Sequence, residues 1–341
     1  MLFNTYEPWK FAFSQEVNNL DEVKDIVNNN NNRDNNKDNN NKDNDKDNNN
    51  YNNKDNNNKD NTTNFNENNN KSWGIVGVPF DSTSSYGTGS RYGSIAIREA
   101  SFGFEKYNYN FKKELNSIFF DFGDLNVVYG NCKQTLKNLE ETVNELNQLN
   151  INPIILGGEH SISLGVLKGL SNKYNLNNVV IIHFDAHMDM VDTYQGESFS
   201  HATVLRRIHE LNPKEIIQIG IRSASLQEVD FLNSKENKEN ITVFSSKETN
   251  NNLENIKKYI SSINNPIYLS IDLDVFDPAY MGDVGNPMPN GLSPSILEEL
   301  MEIITQKELI GFDVVELSTK TLGNPSAVLA SKLVYDFLTL I

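Results

Sequence analysis

The segment Val179-Val180-Ile181-Ile182-His183-Phe184 runs directly into Asp185-Ala186-His187-Met188-Asp189. A nearly continuous apolar run of this length indicates a β-strand buried on both faces, as in a parallel sheet covered by helices. The polar residues that follow would then lie at the carboxyl end of the strand, where open parallel sheets bind their ligands. The segment therefore predicts an α/β fold and also the edge of the sheet that carries the chemistry.

The same alternation of short apolar runs and amphipathic stretches extends to both sides of this segment. Further strands are predicted at residues 73–79, 153–156, 215–220, 242–245, 267–271 and 309–315. Helices are predicted at residues 94–105, 136–149, 202–210, 226–233, 253–261 and 294–306. Strands alternating with helices along a whole chain indicate a mostly parallel sheet with helices packed on it.

Residues 28–71 interrupt this pattern, because they are almost all Asn, Asp and Lys, with Tyr51 and Phe65 as the only aromatic side chains. Such a composition cannot bury enough apolar surface to fold, so we expect a disordered insert. An N-terminal arm at residues 1–27 and one catalytic domain at residues 72–341 would flank it. A tolerated loop insertion is the simplest interpretation, and a self-associating segment or interaction scaffold is the alternative.

The composition also restricts the partners of the chain. Its formal net charge is −16, and the eight acidic and seven basic residues of the insert contribute only −1 of it. A strongly acidic domain excludes nucleic acid as a partner, because phosphate binding requires clustered Lys and Arg, and it suits a small cation or metal ions. Cys132 is the only cysteine. With no signal peptide and no membrane-length apolar run recognised, a cytoplasmic location without membrane contact is expected.

Polar residues follow four of the predicted strands. Residues 157–161 read Gly-Gly-Glu-His-Ser, the strand at 267–271 runs into Asp272-Leu273-Asp274, and the last strand reaches Asp313 and Glu316. Together with residues 185–189, they bring two histidines and at least six carboxylates to one edge of the sheet. The repulsion among these carboxylates requires a compensating positive charge, for which metal ions are the obvious source.

The spacing of these residues predicts two ions. Side chains of an extended segment alternate between faces, so Asp185, His187 and Asp189 are expected to point the same way, and the same holds for the Asp-x-Asp at 272–274. Hard divalent ions prefer carboxylates, and the imidazoles favour manganese over magnesium or calcium. The predicted ligands of two Mn²⁺ ions per subunit are His160, Asp185, His187, Asp189, Asp272 and Asp274.

These motifs resemble those of the ureohydrolase family of arginases and agmatinases, from Trp73 to the C-terminus. Residues 157–161, 183–189 and 270–278 are similar to the three metal motifs of that family. The resemblance implies a three-layer α/β/α sandwich of the arginase type, assembled as a homo-trimer or homo-hexamer. Met188 and Ala202 depart from the usual family residues at positions that supply no ligand side chain, and the loop at residues 285–291 differs in detail.

Three catalytic residues are expected, namely Asp189, His201 and Glu316. The resemblance implies that His201 is a mobile proton carrier, a role that suits a group titrating near neutral pH, and that Glu316 holds the substrate guanidinium by charge-assisted hydrogen bonds. Two divalent ions would lower the pKa of water toward neutrality, and Asp189 would pass a proton to the leaving amine. His183 is expected to be structural or to support the ligands, and Glu159 either orients His160 or is purely structural.

The expected substrate is a small cationic guanidino compound. Residues 190–200 lack the Ser/Asn-rich pattern with which arginases bind the α-carboxylate of arginine, and they include Asp192 and Glu197. Agmatine, cleaved to putrescine and urea in polyamine biosynthesis, is therefore the leading candidate. A guanidinobutyrase, an arginase or a formimidoylglutamase remains an alternative. A non-catalytic family member acting as a binding subunit is another, although all six predicted ligands are present.

Overall fold

The structure, a computed structural model, describes residues 2, 4–6, 9–43, 71–234 and 240–341. The described strands, in chain order, are β1 (Thr5–Tyr6), β2 (Ser72–Gly77), β3 (Tyr107–Asn108), β4 (Lys113–Glu114), β5 (Phe119–Leu125), β6 (Ile151–Leu156), β7 (Val180–Phe184), β8 (Glu215–Ile221), β9 (Ile241–Ser245), β10 (Ile267–Asp272) and β11 (Leu309–Val315). The described helices are α1 (Leu20–Asp43), α2 (Gly93–Ser101), α3 (Cys132–Gln148), α4 (Ser163–Ser171), α5 (Val204–His209), α6 (Leu226–Leu232), α7 (Ser246–Asn251), α8 (Leu253–Ser261), α9 (Pro294–Ile304) and α10 (Pro325–Leu340).

Nine of these strands form one sheet, in the order β1-β5-β2-β6-β11-β10-β7-β8-β9. Strand β1 pairs antiparallel with β5 at the edge, and every other pair in the sheet is parallel. The four central strands β6, β11, β10 and β7 are neighbours, although they are far apart in sequence. The residues that follow these four strands therefore meet at one edge of the sheet, because parallel strands share their carboxyl ends.

Helices cover both faces of the sheet. Trp73 and Ile75 of β2 belong to one hydrophobic core, which includes side chains of α2, α8, α9 and α10. Val76, in the same strand, belongs to the opposite core, which includes side chains of α1, α3, α4 and α5. Alternate residues of a strand point to opposite faces, so one strand contributes to both cores. The predicted three-layer α/β/α sandwich is confirmed.

The predicted strands all occur, with ends shifted by at most about two residues, as is usual for element boundaries. One buried strand, β5, was not predicted, because Asp121 and Asp124 interrupt its apolar run. Both carboxylates are buried against Arg98, whose guanidinium lies 2.8 Å from Asp121 and 2.5 Å from Asp124. The pairing makes a charged strand compatible with the interior.

Helix α1 crosses the boundary expected between the N-terminal arm and the Asn-rich insert. Val23 and Val27 are buried and pack the first half of the helix against the hydrophobic core of the domain. The backbone at residues 28–43 is helical where the sequence predicts disorder, because each residue added to an anchored helix gains one backbone hydrogen bond. The rest of the predicted insert, residues 44–70, lies outside the described residues. Among the helices that the structure describes, none is long and apolar enough to cross a membrane.

Candidate metal centre

The loop after β6 approaches the backbone of Val78 and Phe80, in the loop after β2, so closely that it requires a glycine. A Cβ on Gly158 would lie 1.9 Å from the carbonyl oxygen of Phe80, and the Glu159 amide donates to the same oxygen at 2.7 Å. Any side chain at this position would displace the loop. Gly158 thereby fixes where the next turn, which begins at His160, enters the site.

His160 lies at the centre of one group of carboxylates. Its Nδ1 atom is 3.0 Å from Asp272 Oδ2, 3.3 Å from Asp185 Oδ2 and 3.5 Å from Asp189 Oδ2. These side chains come from the ends of β6, β7 and β10, and all four are buried. The imidazole nitrogen thus has three carboxylate oxygens within 3.5 Å, a set of donors that suits one cation.

A second group forms around His187 and shares one carboxylate with the first. His187 Nδ1 lies 2.8 Å from Asp274 Oδ2 and 3.6 Å from Asp185 Oδ1. Asp185 thus presents one oxygen to each histidine. The six residues predicted as metal ligands are all brought together, and their arrangement divides into two groups joined by Asp185.

The backbone that achieves this arrangement is not the extended one that the sequence suggests. Asp189 has a φ of 53°, in the left-handed region, and Leu273–Val275 forms a 3₁₀ turn. Glu316 also has a positive φ, of 67°. Strained backbone at non-glycine residues costs roughly 1–3 kcal/mol and is typical of functional sites. The predicted side chains converge, but regular strand alternation is not the reason.

The carboxylates of the centre are electrostatically unfavourable as they stand. Burial, together with the neighbouring Asp185, raises the pKa of Asp189 well above its ordinary value. Burial and the charges of Asp274 and Asp185 do the same to the pKa of Asp272. Against the effect of burial, the surrounding imidazoles hold the pKa of Asp185 well below its usual range. Repulsion of this kind is relieved by a cation among the carboxylates.

The donor set fits divalent ions. Asp185 Oδ2 is buried and has no hydrogen-bond partner among the described residues, so one oxygen facing His160 is available to a metal. Asp185, His187 and Asp274 also offer ligand atoms within 4.8 Å of one another, as do His160, His183 and Asp185. Ligands about 2.1 Å from one ion lie roughly 3 Å apart, which is the spacing seen here.

A hydroxyl group on the side away from the carboxylates contacts His160 and belongs to a small hydrogen-bond network. Its Nε2 atom is 3.0 Å from Ser270 Oγ, and Ser270 donates in turn to Asp313 at 2.6 Å. Asp313 also accepts from Ser163 at 2.7 Å and from the Tyr268 hydroxyl. Asp313, expected among the carboxylates at the sheet edge, therefore lies under the metal centre. Ser270 was missed, and its position two residues before Asp272 on the same strand was the available signal.

Two further contacts involve His187 and His183. Asn286, in the loop whose sequence departs from the family pattern, lies with Nδ2 2.9 Å from His187 Nε2. His183 Nε2 is 3.0 Å from Asp185 Oδ2, but the two atoms are not aligned for a hydrogen bond. His183 is fully buried beside the ring of His160, at a centroid distance of 4.9 Å. Its position beside a predicted ligand agrees with a supporting role.

Of the two roles expected for Glu159, that of orienting His160 finds no support, since the described hydrogen bonds of its side chain go to Thr83 and Ser161. Its carboxylate accepts the backbone N–H and the hydroxyl of Thr83, at 2.6 and 2.5 Å, and the hydroxyl of Ser161 at 2.7 Å. Thr83 in turn contacts His201, the predicted proton carrier. Burial and the neighbouring imidazoles His160 and His187 lower the pKa of His201 to about 4, so its ring is neutral near pH 7. The expectation that this residue titrates near neutral pH does not hold for the structure.

Glu316 and the metal centre face the same cavity, of about 220 Å³. The Glu316 carboxylate accepts the backbone N–H of His160 at 2.7 Å and the hydroxyl of Ser90 at 3.1 Å. Burial, and next the charge of Glu159, raise the pKa of Glu316 to about 8. The predicted catalytic residues Asp189, His201 and Glu316 all line this cavity.

Comparison with known proteins gives a consistent result. The sequence profile of the arginase family matches residues 71–339. An uncharacterised 32.2 kDa protein of Methanothermus fervidus is 45% identical over 79% of this chain and 91% of its own length. The N(1)-aminopropylagmatine ureohydrolase of Thermococcus kodakarensis is 35% identical over 76% and 88%, respectively. The crystal structure of the agmatine ureohydrolase of Thermoplasma volcanium aligns with a TM-score of 0.67 at 31% identity, covering 79% of this chain and 89% of that one.

Proposed function

This chain belongs to the arginase family and is a hydrolase of guanidino C–N bonds, and we propose that its substrate is agmatine, which it cleaves to putrescine and urea. The proposal extends the resemblance to a specific substrate. It rests on the charge of the cavity and on the two groups of predicted ligands that meet there.

The single observation that carries the proposal is the absence of Lys and Arg among the described residues that line the cavity. Carboxylates line it instead, from Asp189, Glu228, Asp272, Asp274 and Glu316. A substrate with a carboxylate tail, such as arginine or guanidinobutyrate, would find no Lys or Arg among these residues to pair with, and the acidic side chains would oppose it. A tail that ends in an ammonium group, as in agmatine, is favoured by the same charges.

Glu316 is proposed to bind the guanidinium group. Its oxygens are fixed by Ser90 and by the backbone of His160, and burial makes a charge-assisted hydrogen bond to a cation stronger than in water. The raised pKa of Glu316, about 8, describes a carboxyl group without a partner cation. A bound guanidinium would favour the charged form.

The ligands of two ions are proposed to divide between the two groups, with Asp185 common to both. His160, Asp189 and Asp272 complete one group, and His187 and Asp274 the other. Manganese is proposed because carboxylates and imidazoles are mixed in both. When bound, two such ions make hydroxide available at neutral pH by lowering the pKa of water.

Proton transfer is proposed to involve Asp189 and His201. Asp189 is buried beside both groups of ligands, so its carboxylate can take up a proton and deliver it to the leaving amine as a general acid. His201 lines the cavity and is neutral near pH 7, so it offers a nitrogen lone pair there, and its low pKa means that a proton taken up is held only briefly before it passes to solvent.

A longer substrate is the second candidate. Tyr86 lines the cavity and is 84% exposed, which places one wall of the cavity at the molecular surface. An aminopropyl extension on agmatine could leave the cavity along this wall. N(1)-aminopropylagmatine, the substrate named for the Thermococcus relative, carries the same guanidinium and also lacks a carboxylate.

Polyamine biosynthesis in the cytoplasm is the proposed setting, and a homo-trimer or homo-hexamer is the proposed assembly. The pathway and the assembly follow from the family resemblance, and the location follows from the single cysteine and the absence of a membrane-length apolar run in the sequence. Size-exclusion chromatography with light scattering tests the assembly directly.

The deciding experiment measures urea release by manganese-loaded protein with agmatine, N(1)-aminopropylagmatine, arginine and guanidinobutyrate offered at equal concentrations. Urea from agmatine at the highest kcat/KM is the expected result. A higher kcat/KM for the aminopropyl compound would move the assignment to the second candidate. Activity only on a carboxylate-bearing substrate would overturn the argument from cavity charge, and no urea from any of them would favour a non-catalytic binding role.

A further inference from the structure

Thr83 connects a buried carboxylate to the proposed proton carrier. Its hydroxyl oxygen lies 2.5 Å from Glu159 Oε1, 3.1 Å from the backbone nitrogen of His201 and 3.3 Å from His201 Nδ1. Glu159 is fully buried and Thr83 is half-buried beside the cavity. One hydroxyl group therefore has three polar neighbours.

The direction of each hydrogen bond follows from the number of protons. A hydroxyl group donates once and accepts through two lone pairs. Its one proton goes to the Glu159 carboxylate, since bonds to a charged acceptor are about twice as strong as neutral ones. The short distance, and the two other donors that Glu159 accepts, agree with this direction. The oxygen of Thr83 can then only accept from His201.

We propose that Thr83 is a positioning residue for His201, which selects the ring tautomer that carries its proton on Nδ1. With Nδ1–H donated to Thr83, the lone pair of the neutral ring lies on Nε2, the nitrogen left to face the cavity. The opposite tautomer would place the Nδ1 lone pair against the lone pairs of the Thr83 oxygen. The ring also packs nearly perpendicular to the ring of Tyr194, at a centroid distance of 5.3 Å and an interplanar angle of 76°, which restricts its rotation.

The inference deepens the proposed function, because it concerns the residue proposed to exchange protons there. A proton carrier must present an unprotonated nitrogen to the group that it serves. Without a preferred tautomer, part of the neutral protein would present Nε2–H instead and could not accept a proton at that atom. Thr83 would keep this fraction small without touching the substrate.

The tautomer can be measured without any activity. Magic-angle-spinning ¹⁵N NMR on the full chain labelled at histidine resolves protonated from unprotonated ring nitrogens, and the sequence contains only five histidines. Comparison with His201→Ala identifies the His201 signals, near pH 8 and without manganese. Protonated Nδ1 and unprotonated Nε2 are expected. Protonated Nε2 in the wild-type protein would overturn the proposal, whatever the substrate is.

Matched variants test the consequence for turnover. Thr83→Val keeps the shape of the side chain and removes the hydroxyl, and it should lower kcat by about tenfold with KM unchanged, as expected for the loss of one hydrogen bond. Thr83→Ser should restore kcat and the Nδ1–H tautomer. Thr88→Val makes the same substitution at an exposed position of the same loop and should leave kcat unchanged.

The two measurements separate failure of this inference from failure of the proposed function. A wild-type Nδ1–H tautomer that persists in Thr83→Val would show that Thr83 does not select it. The expected tautomers with no urea from any guanidino compound would leave the role of Thr83 intact and reject the activity. If Thr83→Val does not fold, the wild-type spectrum and the Thr83→Ser variant still decide the tautomer.

Discussion

At the scale of single residues, Asp185 joins the two halves of the metal centre. One of its oxygens faces His160 and the other faces His187, at 3.3 and 3.6 Å. No other predicted ligand contacts both histidines among the described ion pairs. Loss of this carboxylate therefore affects both groups, whereas loss of Asp274 affects only the group around His187.

This difference predicts the metal content of two matched variants. Asp274→Asn should retain one tightly bound manganese ion per chain. Asp185→Asn should lower the affinity for both ions, by more than the roughly 10–100-fold typical of changes outside the ligand set. Elemental analysis after dialysis against a weak chelator measures the content, and circular dichroism checks the fold. Equal metal content in the two variants would contradict the shared role of Asp185.

Glu316 gives a second prediction at this scale. In Glu316→Gln one amide oxygen can still accept the backbone N–H of His160, but the charge that would face a guanidinium is lost. A hydrogen bond to a charged group contributes about 1.5–3 kcal/mol, so kcat/KM should fall by roughly 10–150-fold while metal content stays the same. Glu302→Gln removes the same charge from an exposed position of α9 that does not line the cavity and serves as the control. Full activity in Glu316→Gln would remove its proposed role.

At this site the sequence predicts which side chains converge, but it does not predict all of their neighbours. The six predicted ligands are recognisable because they follow strands whose carboxyl ends meet. Thr83 and Asn286 carry no such signal, since loops far apart in sequence bring them to the histidines. The positive φ of Asp189 is equally hidden, because only the surrounding structure holds a non-glycine residue in that region.

At the scale of elements, helix α4 shows why a helix of the core escaped prediction. Its nine residues include Gly165 and Gly169, which weaken any helical pattern in the sequence. In the structure these glycines are the contact surface with α3. A Cβ on Gly165 would lie 2.9 Å from the carbonyl oxygen of Leu136, and a Cβ on Gly169 would lie 2.6 Å from Val143 Cβ. Helix α10 was not predicted for another reason, because it is buried nearly all round and lacks an amphipathic face.

The close contact of α3 and α4 predicts the effect of Gly169→Ala. Alanine favours a helix over glycine by about 1 kcal/mol, but crowding of a packed interior costs typically 1–3 kcal/mol. Since the backbone of α3 lies within 2.9 Å as well, the crowding should exceed the gain and lower the melting temperature. Gly282→Ala is the control, because its nearest neighbour is 3.8 Å away. A higher melting temperature for Gly169→Ala would show that α3 accommodates the added methyl group without loss of stability.

At the scale of the whole molecule, the catalytic machinery and the Asn-rich segment are separate in sequence. Every predicted ligand and catalytic residue lies between His160 and Glu316, and the match to the arginase family begins at residue 71. The segment carries a charge of only −1, so it adds little to the acidic field that would attract a cationic substrate. Its composition therefore predicts no contribution to catalysis, although helix α1 extends into it as far as Asp43.

Replacing residues 44–70 by a Gly/Ser segment of equal length tests this separation. The replacement keeps the reach between α1 and β2 and removes the Asn, Asp and Lys side chains. Metal content should stay the same and kcat/KM should change by no more than about twofold, as for substitutions away from packed or catalytic groups. Direct joining of Asp43 to Lys71 is the companion variant, which removes the same side chains and also shortens the reach. Loss of activity in the first variant with an unchanged melting temperature would give the side chains of the segment a functional role. Loss in the companion alone would mean that the length of the connection matters and its composition does not.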